Sequence, residues 1–243
     1  MNQLRSLLGI ISLGASSAVL AITWENTVVT DPLNRDDCEV AEPMSWGGYI
    51  YSWPSKWHGV YWPYTDSQWL WFCEGSGYVS FGNDFEEVTQ EQVYRIISYL
   101  RQAEPVDQRS RMALLMRARA IYQLRDLDDS FWAWFERLEA YEREHAEDSV
   151  GAAAARARAV ELIPRLLADM QPGMQKAQLE FVLGYYAHRR GDMEEMQMRF
   201  ARVRALEWLD DEGSPVQGSP YLEDLMTELE QLASPPEWIP WGD

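Results

Sequence analysis

Cys38-Glu-Val-Ala41 and Cys73-Glu-Gly-Ser76 are the residues whose type and spacing come closest to metal chemistry. A closed tetrahedral zinc site takes four nitrogen or sulfur ligands, usually as two close pairs such as C-x-x-C. Here each knuckle keeps its first cysteine, and Ala41 and Ser76 stand where the second would be. The pattern reads as the shape of a zinc ribbon without its metal, so neither metal nor cofactor is expected. Cys38 and Cys73 are the chain's only cysteines. Joined, they form a disulfide that replaces zinc as the staple. The chain-entropy model gives about 3.8 kcal/mol for closing that loop, as an upper estimate. The alternative is a pair of free, buried thiols.

The N-terminus bears on that choice. Met1 to Arg5 carries one positive charge and no acid, and Ser6 to Leu20 is apolar or small. Val19-Leu20-Ala21 offers small residues at a cleavage position. Residues 1–21 therefore read as a signal peptide, with an uncleaved anchor as the competing reading. A secreted or periplasmic protein is expected, in a compartment where two cysteines oxidise. No later segment is long and apolar enough to span a bilayer, so no membrane attachment is expected after cleavage. The formal charge of −18 repels nucleic acid and anionic lipid.

Other constellations are weaker. The histidines are His58, His145 and His188. His145 and His188 fall among charged residues on helical segments, where a solvated or helix-end role is expected. His58 could pair with Asp66 and nearby acids in a hydrolase, but no nucleophile motif accompanies them. Asn83-Asp84-Phe-Glu86-Glu87 lacks the alternation of a calcium loop. Gly75-Ser76-Gly77 lacks the lysine of a phosphate cradle. No catalytic residue is assigned.

Aromatics dominate the segment before the helices. Six of the twelve tryptophans lie between Trp46 and Trp71. Such a cluster is either the core of a small domain short of residues to bury, or an exposed platform. Trp53, Trp57, His58, Tyr61, Trp62 and Tyr64 are the candidate binding residues, in the pieces expected to be exposed if any are.

The chain divides accordingly. Residues 22–87 read as an aromatic β, ribbon-like domain, with strands at Tyr49–Tyr51, Gln68–Phe72 and Tyr78–Phe81. Residues 88–233 read as an α-helical hairpin array. Thr89 with Gln92 forms a capping box for a helix to about Ala103. Asp107 caps a helix to about Arg125, and Asp129 or Ser130 one to His145. Further helices run from about Val150 to Ala168, with Pro164 kinking or dividing it, then Met174 to Arg189, Met193 to Trp208, and Ser219-Pro220 to Ala233. Residues 234–243 form a tail rich in Pro and Trp. Leu183-Gly184, Gly191-Asp192 and Phe200-Ala201 fall at the spacing of a tetratricopeptide-type hairpin, where glycine admits a close helix and the aromatic fills the gap. The fold class is thus α+β, mostly α: a small aromatic-rich, zinc-ribbon-like β domain followed by tetratricopeptide-like antiparallel α-hairpins.

Trp71, Cys73, Gly77, Tyr78, Phe81, Asp84 and Phe85, with Cys38 upstream, carry a resemblance. The pattern W-x-W-F-C-x-x-S-G-Y-x-x-F-x-x-D-F followed by helical hairpins resembles the bacterial domain-of-unknown-function family 2225. That resemblance covers residues from about 30 to 210 and implies a double-knuckle zinc ribbon joined to tetratricopeptide-like helices. It implies no reaction. Ala41, Ser76 and the signal sequence depart from the family pattern, so zinc is not carried over. The expected function is a non-catalytic protein-interaction module, with a protein partner at the array's concave face or at the Trp-rich loop. Glycan or cell-wall binding through exposed Trp and Tyr is the alternative, and a hydrolase the third.

Overall fold

The computed structural model describes residues 23–45, 55–60, 70–209 and 213–232. Among them are three two-stranded antiparallel sheets and eight helices, an α+β fold that is mostly α.

Strands β1 (Thr23–Thr30) and β2 (Asp37–Ser45) form a hairpin, with Thr27 opposite Val40 and Val29 opposite Cys38. The run Thr27-Val-Val-Thr30 suits a pleated surface. Asp31 fixes the turn by accepting from the Leu33 amide at 2.8 Å, and Arg35 takes a φ of 69°. The sequence reading placed no strand here, because charged residues interrupt the β-branched run. Strands β3 (Leu70–Cys73) and β4 (Tyr78–Phe81) lie close to the expected positions. The expected strand at Tyr49–Tyr51 lies outside the described residues, as do residues 1–21 and the tail from 234.

Cys38 of β2 and Cys73 of β3 are joined by a disulfide, with their α-carbons 5.4 Å apart. Trp71 donates from its indole to the Ala41 carbonyl at 3.1 Å. Ser76 accepts from the Tyr78 amide at 3.1 Å. Ala41 thus receives a side chain through its carbonyl, and the Ser76 hydroxyl caps a backbone amide. No group of three or more His, Cys, Asp or Glu placed to hold a metal ion occurs among the described residues.

Helix α1 (Ser55–His58) is a single turn. Helix α2 (Gln90–Leu100) carries the expected capping box: Thr89 accepts from the Gln92 amide, and the Gln92 side chain accepts from the Thr89 amide. Helix α3 (Arg111–Tyr122) begins later than expected, because Ser110 and not Asp107 caps it. Asp107 instead accepts from the Arg109 amide and stabilises the preceding turn. Helix α4 (Asp129–His145) is capped by Asp128, one residue before the expected cap. Helix α5 (Ser149–Asp169) runs through Pro164, which therefore does not divide it. Helix α6 (Met174–Arg189) has the expected limits. Helix α7 (Met193–Ala205) ends early, because Glu207–Leu209 (β5) pairs with Pro215–Gln217 (β6). Helix α8 (Pro220–Gln231) opens with proline at its start, as expected.

The α6–α7 hairpin shows why glycine occupies position 184. A methyl group there would lie 2.5 Å from Cε1 of Phe200, whose ring stacks on Phe181 at 5.7 Å. A second apolar cluster runs from Cys38 and Tyr78 into Ile96, Leu115, Tyr122 and Phe135. It carries the β hairpins onto α2, α3 and α4. The motif residues act as fasteners there: Tyr78 donates to the Phe85 carbonyl at 3.3 Å, and Tyr122 donates to Asp84 at 2.8 Å. No helix among the described residues is long and apolar enough to cross a membrane.

Candidate functional site

The candidate binding residues divide between two fates. Trp53, Tyr61, Trp62, Tyr64 and the hydrolase candidate Asp66 lie outside the described residues. Trp57 and His58 are described, and both are buried rather than exposed. The reason is tertiary. Residues Lys56 to Val60 are inserted against helices α4, α6 and α8, which follow far later in the chain.

Each residue of this segment has its own receiver. Lys56 reaches Glu228 of α8 at 2.7 Å and lies 4.6 Å above the Trp57 ring. Trp57 packs on Tyr185 of α6. Arg137 of α4 donates from Nη1 to the Gly59 carbonyl at 3.2 Å and to the His58 carbonyl at 3.4 Å. Gln178 of α6 donates to the same Gly59 carbonyl at 3.4 Å. Gly59 has a φ of 63°, and a methyl group there would lie 2.9 Å from Nη1 of Arg137. Only glycine meets both demands without strain.

His58 sits at the centre of a polar line. Its Nδ1 lies 2.9 Å from the Tyr186 hydroxyl and its Nε2 lies 3.0 Å from Glu144. Glu144 also pairs with Arg156 and, at 3.2 Å, with Arg189. Burial alone would raise the Glu144 carboxyl. Contact with His58 and the Arg189 and Arg156 guanidiniums outweighs it and holds the group at about 2. Burial pushes His58 below its ordinary value, with Arg156 and Arg189 pushing the same way against the pull of Glu144. A neutral imidazole then donates from Nε2 to the carboxylate and accepts from Tyr186 at Nδ1. Hydroxyl, imidazole and carboxylate stand in the order of a nucleophile, base and orienter. His58 and Tyr186 nevertheless have no solvent-accessible surface, and burial raises the tyrosine hydroxyl further from reactivity. In this conformation the line serves as a lock.

Acid should loosen that lock in two stages. His58 is held below its ordinary 6.5, so the unfolded chain protonates first. Its contribution is complete above pH 6.5 and falls as pH drops below it. Glu144 is held at about 2 against an ordinary 4.5, so its contribution is lost between those values. The urea midpoint should fall between pH 7 and pH 5, and fall less in His58→Gln. His145, also lowered by burial, leaves a residual slope in the variant. A wild-type midpoint that stays flat over this range would contradict a neutral, buried His58. The third histidine, His188, lies in the last turn of α6, the helix-end position among the two expected, but it is buried rather than solvated and lies 3.3 Å from the Leu232 carbonyl.

A second site is open to solvent. A groove of about 410 Å³ runs between α3 and α5 over the start of α4. Four arginines line it: Arg119, Arg125, Arg158 and Arg165. Trp132 and Leu162 supply its apolar surface. Two of the guanidiniums are held from below. Arg119 meets Glu136 and Glu139 at 2.6 Å each, and Arg158 meets the same two at 2.8 and 3.0 Å. Both glutamates are buried on α4, so their charge lies in the core while the arginines face the groove. Arg119 also lies over the Trp132 ring at 5.6 Å. The sequence reading missed this site, because arginine and glutamate at helical spacing look like solvated faces. The signal that could have found it is Glu136 and Glu139, three residues apart on α4, between arginine-bearing helices.

No protein-family model matches the chain, and no curated protein or solved structure is detectably similar to it.

Proposed function

We propose that this chain is an exported, non-catalytic protein-interaction module whose partner docks in the groove between α3 and α5. The single observation behind this reading is the open groove itself. On a chain of charge −18, it gathers four arginines and a tryptophan, and two of the arginines, Arg119 and Arg158, are fixed on the buried Glu136 and Glu139. Pre-fixed side chains lose little freedom on binding, which favours recognition. The face of α4, α6 and α8 that receives Lys56 to Val60 is already filled, which leaves the α3–α5 groove as the better docking face. The burial of His58 and Tyr186 supports a structural role for the hydroxyl–imidazole–carboxylate line rather than hydrolysis. The disulfide supports an oxidising compartment, periplasmic or extracellular, in keeping with the apolar run from Ser6 to Leu20. The close approach of Gly184 and Phe200 supports a tetratricopeptide-like style for the array, and the fastening roles of Tyr78, Asp84 and Phe85 suit the ribbon-like likeness.

A photo-crosslinking residue at Gln123, on the groove wall, tests this in the producing cell. One at Val150, near the other end of α5 and 80% exposed, is the control. A discrete protein adduct should form at Gln123 and not at Val150. Equal labelling at both sites, or none at Gln123, would remove the groove as the docking face.

A further inference from the structure

We propose that the free edge of β1 takes up an extended segment of a partner protein as a third strand, with β-branched residues beside Val28 and Val29 and a lysine or arginine beside Glu25. This surface shares no lining residue with the α3–α5 groove, so either reading can fail without the other.

Strand β1 has one neighbour. Among the described residues it pairs with β2 alone, and residues 23–30 make no backbone hydrogen bond outside that ladder. An antiparallel strand turns alternate N–H and C=O groups away from its partner, so β1 presents a row of unfilled main-chain groups along its outer side. The other sheets offer no comparable edge: β3 and β4 are four residues long and largely buried, and β5 and β6 are three residues long. Natural edges are guarded by charge, proline, bulges or brevity. The run Asn26-Thr-Val-Val-Thr30 has no charge, proline or glycine, and the one irregularity in pairing falls between Thr23 and Trp24, at the other end. Val28 is 64% exposed.

Charge selects the occupant. Glu25 stands opposite Glu42, and like charges directly opposite each other destabilise a ladder. Neither carboxylate has a hydrogen bond or ion pair among the described residues. Asp36, Asp37 and Glu39 add three exposed acids to the hairpin, against Arg35 alone. A second copy would bring the same acidic hairpin on a chain of −18 and be repelled, whereas a basic segment is attracted. Alternation sets its pattern. Glu25, Thr27 and Val29 lie on one face of the hairpin, and Asn26, Val28 and Thr30 on the other. A segment added antiparallel carries two β-branched residues in succession, opposite Val29 and then Val28. Its cation follows three places after the second, opposite Glu25 and on the same face as the first. Directly opposed side chains start about 5 Å apart, within reach of a lysine and a carboxylate.

Fluorescence anisotropy of the full chain with a labelled peptide tests this. The probe has the core Thr-Val-Val-Thr-Thr-Lys. One comparison peptide carries glutamate for the lysine. The other carries proline for both adjacent threonines after the valines, one of which must donate to β1. The lysine peptide should bind at least about fivefold more tightly than the glutamate peptide, and the proline peptide should not bind. Glu25→Gln should cut the preference for lysine to about twofold or less. Val28→Lys guards the edge and should abolish binding without changing the melting temperature, because the residue is exposed. Hydrogen exchange should slow at residues 23–30 when the peptide is bound. Equal binding of the lysine and glutamate peptides, full affinity in Val28→Lys, or protection only elsewhere in the chain would overturn the proposal. So would dimerisation of the chain alone that Val28→Lys abolishes, since the edge would then belong to a second copy.

Discussion

Replacing Cys38 and Cys73 together by serine lowers the unfolding free energy by up to about 3.8 kcal/mol, the chain-entropy figure for the loop they close. The two are 35 residues apart in sequence, and the bond joins β2 to β3 at the edge of the apolar cluster. The urea midpoint drops, and the slope rises because an open unfolded chain exposes more surface. The loss has a second address. Lys56 to Val60, held by Arg137, Gln178 and Glu228, lies within the closed loop. Opening the loop loosens that segment's tether. Combining the serine pair with His58→Ala should therefore cost less than the sum of the two losses. Strict additivity would mean that the disulfide and the inserted segment act independently. A loss under about 1 kcal/mol would mean that the unfolded chain is not restrained by the bond.

Glu144→Leu is expected to cost about 3–5 kcal/mol, the usual result of removing one partner from a buried ion pair. Glu144 is the common acceptor for His58, Arg156 and Arg189. Leucine fills the volume but leaves two guanidiniums without their carboxylate and Nε2 of His58 without an acceptor. A charged group left in low dielectric is far costlier than the missing contact. Glu144→Leu combined with Arg156→Leu should recover part of the loss, and a double-mutant cycle in urea reads that recovery. His58→Leu should cost less than Glu144→Leu, because it removes a neutral group. If Glu144→Leu cost under about 1 kcal/mol, the carboxylate would be well hydrated and the lock would not exist.

What the sequence carried was local chemistry. The capping box at Thr89 and Gln92, the limits of α6, and the proline that opens α8 depend on residues within a turn of one another, and they were legible. The cap of α3 was not, because Asp107 and Ser110 both offer a side-chain acceptor three residues apart and the chain uses both. The β1–β2 and β5–β6 hairpins were missed because charged or short strands carry little periodicity. The sites were less legible still. Glu144, in the run Glu142-Arg-Glu144-His, looks like a solvated helix end. It is buried among His58, 86 residues earlier, and Arg156 and Arg189 of the two following helices. Trp57 and His58 stand out in the sequence as candidates for exposed binding residues, and they are buried because their segment is inserted into the array rather than displayed. The arginine groove needs α3 and α5 on either side of α4, which no single-helix pattern reveals.

The inserted segment also dictates an order of assembly. Lys56 meets Glu228 across 172 residues, and His58 meets Tyr186 across 128. Contacts that span so much chain are slow to form, because the intervening chain must be gathered first. The Cys38–Cys73 bond needs only residues 35 apart in sequence. It can close while α6 and α8 are still unfolded, leaving a finished loop whose middle has nothing to grip. The earliest part of the chain is thereby the last to be secured. Trp57 has its Tyr185 neighbour only once α6 has formed, and Lys56 its Glu228 only once α8 has.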